Sequence, residues 1–146
     1  MSRSHEQAGD DLSRRRPRIL LVEDDVVVSL TLRAQLEAAG CAVVASARDA
    51  DSAVQMACEL RPDVVLMDIG LRDKDGVYAT REIMARAPAP VIVVTAYGDD
   101  RVARALEAGA CMVLTKPVLA EQLTRAIAGV ISGAADSDRG EPGDGG

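Results

Sequence analysis

The sequence predicts an α/β fold: a doubly wound, five-stranded parallel sheet with helices on both faces. Three observations carry it. Apolar runs rich in Val, Ile and Leu, centred on Leu21, Val43, Leu66, Val93 and Val113, are short and continuous, as expected of strands buried on both sides. Each run is followed by a stretch of helical length. Gly and Pro stand where helices have to stop.

Taken in order, Ile19-Leu20-Leu21-Val22 forms the first strand and opens into Glu23-Asp24-Asp25. Asp25 reads as the N-cap of a helix over Val26 to Ala39, which Gly40 closes. A second strand around Val43 precedes a helix from Asp51 to Glu59, where Ala50, Val54, Ala57 and Cys58 make a one-sided apolar stripe. After Pro62 the third strand, Val64-Val65-Leu66-Met67, ends in Asp68 and a loop in which Asp73 and Asp75 are turn formers. A helix from Val77 to Arg86 returns through Pro88 and Pro90 to the fourth strand, which ends in Thr95. Asp99 or Asp100 caps the next helix, Asp100 to Ala108, before Gly109. The fifth strand ends in Lys116-Pro117, and the last helix covers Ala120 to Ile131. Right-handed crossovers close such units into an open sheet.

The expected domain spans residues 18–131, between a disordered leader over 1–17 and a disordered tail over 132–146. The Arg14-Arg15-Arg16-Pro17-Arg18 run reads as a solvated lead-in to the first strand. A length of 146 residues fits one domain, and 48% apolar residues suffice for a core. The net charge of −6 disfavours direct nucleic-acid binding. No apolar stretch is long enough for a membrane span, and no apolar segment follows the polar N-terminus as a secretory signal requires. Cys41, Cys58 and Cys111 are odd in number, widely spaced and set among apolar neighbours, which suggests reduced, buried thiols in a cytoplasmic protein. Met56, Met67, Met84 and Met112 read as core filler.

In open α/β sheets the ligand site lies beyond the carboxyl ends of the strands, at the topological switch point. Glu23, Asp24, Asp68, Thr95 and Lys116 all fall at that edge. Crowded carboxylates raise one another's pKa unless a cation is present. Three of them offer the hard oxygen ligands that Mg²⁺ favours. Three carboxylates, one lysine and one Mg²⁺ sum to zero formal charge, so a phosphoryl group arriving there meets cations and a hydroxyl instead of bare anions. Aspartate is an established phosphoryl-accepting nucleophile. His5 is the only histidine and lies in the leader, so no core histidine takes part. Lys74 and Lys116 are the only lysines in an arginine-rich chain, and Lys116 stands where a compact ammonium is useful.

At these residues the sequence resembles the receiver domain of two-component response regulators. The resemblance covers about Arg18 to Ile131 and rests on an ordered set: Glu23-Asp24-Asp25, Val64-Val65-Leu66-Met67-Asp68, Asp75-Gly76, Thr95-Ala96, and Gly109-Ala110 followed by Lys116-Pro117. It implies a flavodoxin-like strand order 2-1-3-4-5. It implies Asp68 as phosphoacceptor, with Mg²⁺ bound by Asp24, by Asp68, by the carbonyl of Gly70 and, through water, by Glu23. Thr95 would bond a phosphoryl oxygen and move with it, Lys116 would pair with the phosphoryl group, and the peptide before Pro117 would be cis. The implied function is a stand-alone, phosphorylation-activated receiver in a phosphorelay, acting on its own phosphorylation state and not as an enzyme on other substrates. Its partners would be a histidine kinase or phosphotransfer protein and a downstream protein. The face of the fourth helix, fifth strand and fifth helix would be switched, with homodimerisation through it possible.

The pattern departs from the family at several positions. Val113 occupies a place where many receivers carry an aromatic residue. Tyr97 stands either at the site rim or as an exposed loop residue. Arg72 replaces a common proline, and Gly70 has no side chain to shield or assist an attacking water. Two other functions share part of the pattern. An Mg²⁺-dependent aspartyl phosphatase needs a second acid where Gly70 stands, and a scaffold that has lost phosphorylation would not retain the full set of Asp68, Thr95, Lys116 and the acidic pair.

Overall fold

The structure is a computed structural model, and it describes residues 16–71 and 75–138. The leader before residue 16, the expectations for Arg72 and Asp73, and the tail after residue 138 lie outside the described residues.

Strands and helices alternate along the chain: β1 (Arg18–Val22), α1 (Val26–Ala38), β2 (Ala42–Ala47), α2 (Ala50–Leu60), β3 (Val64–Asp68), α3 (Gly76–Arg86), β4 (Val91–Thr95), α4 (Val102–Glu107), β5 (Met112–Thr115) and α5 (Ala120–Asp138). The five strands form one parallel sheet in the order β2-β1-β3-β4-β5. This is the expected flavodoxin-like order. The β1–β2 ladder carries one irregularity, where Ile19 pairs with Val43 and Leu20 with Ala45, leaving Val44 over.

Alternation along each strand sends successive side chains to opposite faces, and two cores result. On one face Leu20, Val22, Val65, Met67, Val91 and Val93 pack with Ala53, Val54 and Ala57 of α2, Val77, Ala79 and Ile83 of α3, and Ala105 of α4. On the other, Ile19, Leu21, Val64, Leu66, Ile92 and Val94 pack with Leu32 and Leu36 of α1 and Leu123, Ala126 and Ile127 of α5. Every residue of β3 and β4 is buried, which explains their unbroken apolar spelling. Each full burial of such a side chain contributes about 1.5–3 kcal/mol, so the central strands anchor the crevice at their carboxyl ends.

The helix starts follow from capping. Asp25, Asp49 and Asp75 each accept a hydrogen bond from a first-turn amide, those of Val28 (3.0 Å), Ser52 (2.8 Å) and Tyr78 (3.1 Å). α4 is different. It begins at Val102, and neither Asp99 nor Asp100 caps it; the residue ahead of it, Arg101, makes no side-chain cap. Asp99 takes both the amide (2.9 Å) and the guanidinium of Arg101, ahead of the first helical residue.

The last helix also differs from expectation. Helix continues through residues 132–138 rather than giving way to a disordered tail at 132. Ala134 and Ala135 are the best helix formers, no proline intervenes before Pro142, and Gly129 and Gly133 do not suffice to break it. Of the cysteines, all free, only Cys41 is buried; Cys111 is exposed, because residue 111 precedes β5.

Candidate functional site

The strand order reverses between β1 and β3, and their carboxyl ends form the crevice. Glu23 follows β1 directly. Its amide donates to the Ala47 carbonyl (3.0 Å), which extends the β1–β2 ladder and turns the side chain inward, to only 2% exposure. Asp68 ends β3 beside Val94 of β4. The Gly70 amide donates to Asp68 Oδ1 at 2.9 Å and orients the carboxylate.

Gly76, at the start of α3, makes this arrangement possible. A β-carbon there would stand 2.6 Å from the Asp68 carbonyl oxygen and 2.6 Å from Ile69 Cα, so only glycine lets the helix approach the strand end. The Gly76 amide donates to the Ile69 carbonyl at 3.1 Å.

Lys116 arrives from the end of β5. Its amide donates to the Thr95 carbonyl (2.8 Å), which places its side chain over β3, and the Lys116–Pro117 peptide is cis. Nζ donates to Asp68 Oδ2 at 3.4 Å and lies 3.3 Å from Glu23 Oε1. Burial alone would pull the lysine pKa down; the charges of Asp68 and Glu23 outweigh it and raise the pKa above its ordinary value.

One carboxylate oxygen from each of Glu23, Asp24 and Asp68 lies within 4.8 Å of the other two. Glu23 pays for its position: burial, then the Asp68 charge and a hydrogen bond shared with Asp68, push its pKa from 4.5 to about 7, against the Asp25 amide and Lys116. Glu23 Oε1 is buried and, although near Nζ, has no hydrogen-bond partner in suitable geometry. A buried carboxylate oxygen that has an ion-pair contact but no hydrogen bond, beside two further carboxylates, is a donor set that fits a hard divalent cation.

Thr95 is buried at the end of β4, and its hydroxyl donates to the Ala96 carbonyl at 3.4 Å. The structure thus brings Glu23, Asp24, Asp68 and Lys116 together, with the Gly70 amide on Asp68, and turns the Thr95 hydroxyl toward its own loop. Tyr97 is 91% exposed, an open loop residue at the edge of a groove, and Val113 packs against the α2–α4 side core.

A family model described as the response regulator receiver domain matches residues 19–128. The chain belongs to that family. Among curated relatives, the transcriptional regulatory protein PdtaR of Mycobacterium tuberculosis is 37% identical over 111 residues, covering 75% of this chain and 54% of that protein. This receiver therefore spans about half the length of that relative. Among solved structures, the signal receiver domain of a modulated diguanylate cyclase from Desulfovibrio desulfuricans matches with TM-score 0.78 and 35% identity, covering 84% of this chain and 98% of that one. The receiver domain of a sensor histidine kinase from Pseudomonas aeruginosa matches with TM-score 0.75 and 35% identity over 80% of this chain and 98% of that one; it is described with a magnesium ion coordinated in its active-site cleft. Among the described residues, no helix of this receiver is long and apolar enough to cross a membrane.

Two contributors to the site escaped sequence reasoning. Gly76 was visible only as part of the Asp75-Gly76 pair, without its steric role. Arg101 gave no signal beyond being one arginine among many, yet its guanidinium reaches the loop after Asp68: Nη1 donates to the Ile69 carbonyl at 3.0 Å.

Proposed function

We propose that this receiver accepts a phosphoryl group on Asp68, with Glu23, Asp24, Asp68 and the carbonyl of Gly70 holding the Mg²⁺ that the transfer requires. The observation that carries this reading is the convergence of three carboxylates and the Lys116 ammonium at the switch point of a receiver fold. Mg²⁺, when bound, supplies positive charge that offsets the carboxylates and the phosphoryl oxygens.

Asp68 is the nucleophile. An oxygen of its carboxylate attacks the phosphorus of a phosphohistidine or a small acyl phosphate, and the donor's P–N or P–O bond breaks, its electron pair leaving with the donor. The Gly70 amide holds the carboxylate in line, and Lys116 pairs with the phosphoryl oxygens as charge gathers on them. The product is an acyl phosphate on this chain, so the protein acts on its own state and turns over no external substrate.

Thr95 responds by exchanging the Ala96 carbonyl for a phosphoryl oxygen. Its loop leads into α4, and the face of α4, β5 and α5 changes its affinity for a downstream protein or a second copy. Moving such a switch from about 1:99 to 99:1 needs roughly 5.5 kcal/mol of differential stabilisation, within reach of a phosphoryl group held by an ammonium and a metal. A histidine kinase or phosphotransfer protein in the cytoplasm is the donor. Exposed Val26, Val27 and Leu30 on α1 and Leu119 after β5 give it apolar surface at the same edge.

Incubation of the full chain with Mg²⁺ and acetyl phosphate, followed by intact-mass analysis, tests the assignment. The expected result is one added phosphoryl group that Asp68→Asn abolishes. Equal labelling of the variant overturns it.

A further inference from the structure

The side of the crevice next to Gly70 is bordered by a side chain from the far loop. Arg101, just ahead of α4, grips Asp99 with two parallel bonds, Nε to Oδ1 at 3.0 Å and Nη2 to Oδ2 at 2.8 Å. Its Nη1 donates to the Ile69 carbonyl at 3.0 Å and lies 3.9 Å from Asp75 Oδ2. The Arg101–Asp99 pair is tight enough that its hydrogen bonds hold the Asp99 carboxyl down at about 2.

A β-carbon built on Gly70 would lie 3.5 Å from Arg101 Nη2 and 3.5 Å from Asp68 Oδ1. The guanidinium and the carboxylate therefore both border the space that a side chain at position 70 would fill. Among the described residues, Arg101 and Asp68 make no direct ion pair. A guanidinium has five N–H donors. The bonds to Asp99 and Ile69 engage three, and one hydrogen on Nη2 finds no acceptor among the described residues.

We propose that Arg101 is a further phosphoryl-binding residue, whose free Nη2 hydrogen is donated to an oxygen of the phosphoryl group on Asp68. This rests on Asp68 being the phosphoacceptor. The planar fork suits the task, because Asp99 and Ile69 fix its plane while the remaining hydrogen points into the crevice. Arg101 also borders the space that a side chain at position 70 would fill, so it limits the approach of water to the acyl phosphate from that side. Through Asp99 it ties the phosphoryl group to the loop that carries Thr95.

The test measures two affinities of the full chain: Mg²⁺ alone, and beryllofluoride, a phosphoryl mimic, at saturating Mg²⁺. Arg101→Ala is expected to leave Mg²⁺ affinity unweakened and to lower beryllofluoride affinity about tenfold, the scale of one charge-assisted hydrogen bond. The half-life of phosphorylated Asp68 shortens in parallel. Arg101→Lys, which keeps the charge and loses the fork, does not restore either value. Beryllofluoride binding equal to wild type overturns the proposal, and so does a parallel loss of Mg²⁺ affinity, which marks a merely structural support of the loop. Failure of the wild-type chain to be labelled at Asp68 is a different result, which removes the phosphoacceptor reading and this one with it.

Discussion

Lys116 Nζ and Glu23 Oε1 stand 3.3 Å apart as an ion pair without a well-formed hydrogen bond. The ammonium is aimed between two carboxylates, at 3.4 Å from Asp68 Oδ2, and serves neither fully. Among the described residues, this one ammonium is shared by Glu23 and Asp68.

Glu23 should make the metal-free protein sensitive to pH. Its pKa is raised from 4.5 to about 7 in the folded state, so folding is favoured while Glu23 is protonated and loses that advantage as pH rises from 4.5 through 7. The size is about 3 kcal/mol, at 1.36 kcal/mol per pKa unit. Glu23→Gln, measured by urea denaturation in EDTA, is expected to be more stable than wild type at pH 8 and nearly equal to it at pH 4.5. A variant that is less stable at both would show that the carboxylate is not strained there.

Lys116 and a divalent cation compete for the same negative field. Lys116→Gln should therefore bind Mg²⁺ more tightly than wild type while accepting phosphoryl groups from acetyl phosphate more slowly. Isothermal titration and intact-mass time courses separate the two effects. Weaker Mg²⁺ binding in the variant would instead make Lys116 an organiser of the ligands.

Gly76 keeps α3 against the end of β3. Gly76→Ala forces a methyl group to within 2.6 Å of backbone atoms of Asp68 and Ile69, which cannot rotate away. Overpacking of this kind costs about 1–3 kcal/mol. The expected outcome is a lower urea midpoint together with slower labelling of Asp68, since the strand end must shift. Normal stability and labelling would mean that the helix start can slide without cost.

Asp49 supplies a contrast away from the crevice. It caps α2 through the Ser52 amide at 2.8 Å. Asp49→Ala should cost about 1 kcal/mol in urea denaturation and leave the rate of Asp68 labelling unchanged. A change in labelling would tie the β2–α2 loop to the site.

Much of this was legible in the sequence because burial on both faces is written in continuous apolar spelling. Val64 to Met67 and Val91 to Val94 could only be central parallel strands, and residues directly after such strands must gather at one edge. Glu23, Asp68 and Lys116 were therefore recognisable from their positions alone. The three aspartate caps of α1 to α3 are likewise local, each bonding an amide three residues on, although only that of Asp25 was anticipated; Asp75 had looked like a turn former.

Other features depend on reach, rotamer and close approach between segments distant in sequence. Asp99 reads as a helix cap, yet its carboxylate takes the amide and the guanidinium of Arg101 just ahead of the helix, a pairing set by where the arginine side chain folds back. Thr95 lies where the strand pattern put it, yet the direction of its hydroxyl was set by the competing carbonyl of Ala96. The chain's own order thus decided which residues meet at the sheet edge, since strand burial and crossover geometry leave little choice. Only the folded molecule decided how they face one another, because side-chain aim is governed by contacts across loops that no local pattern encodes.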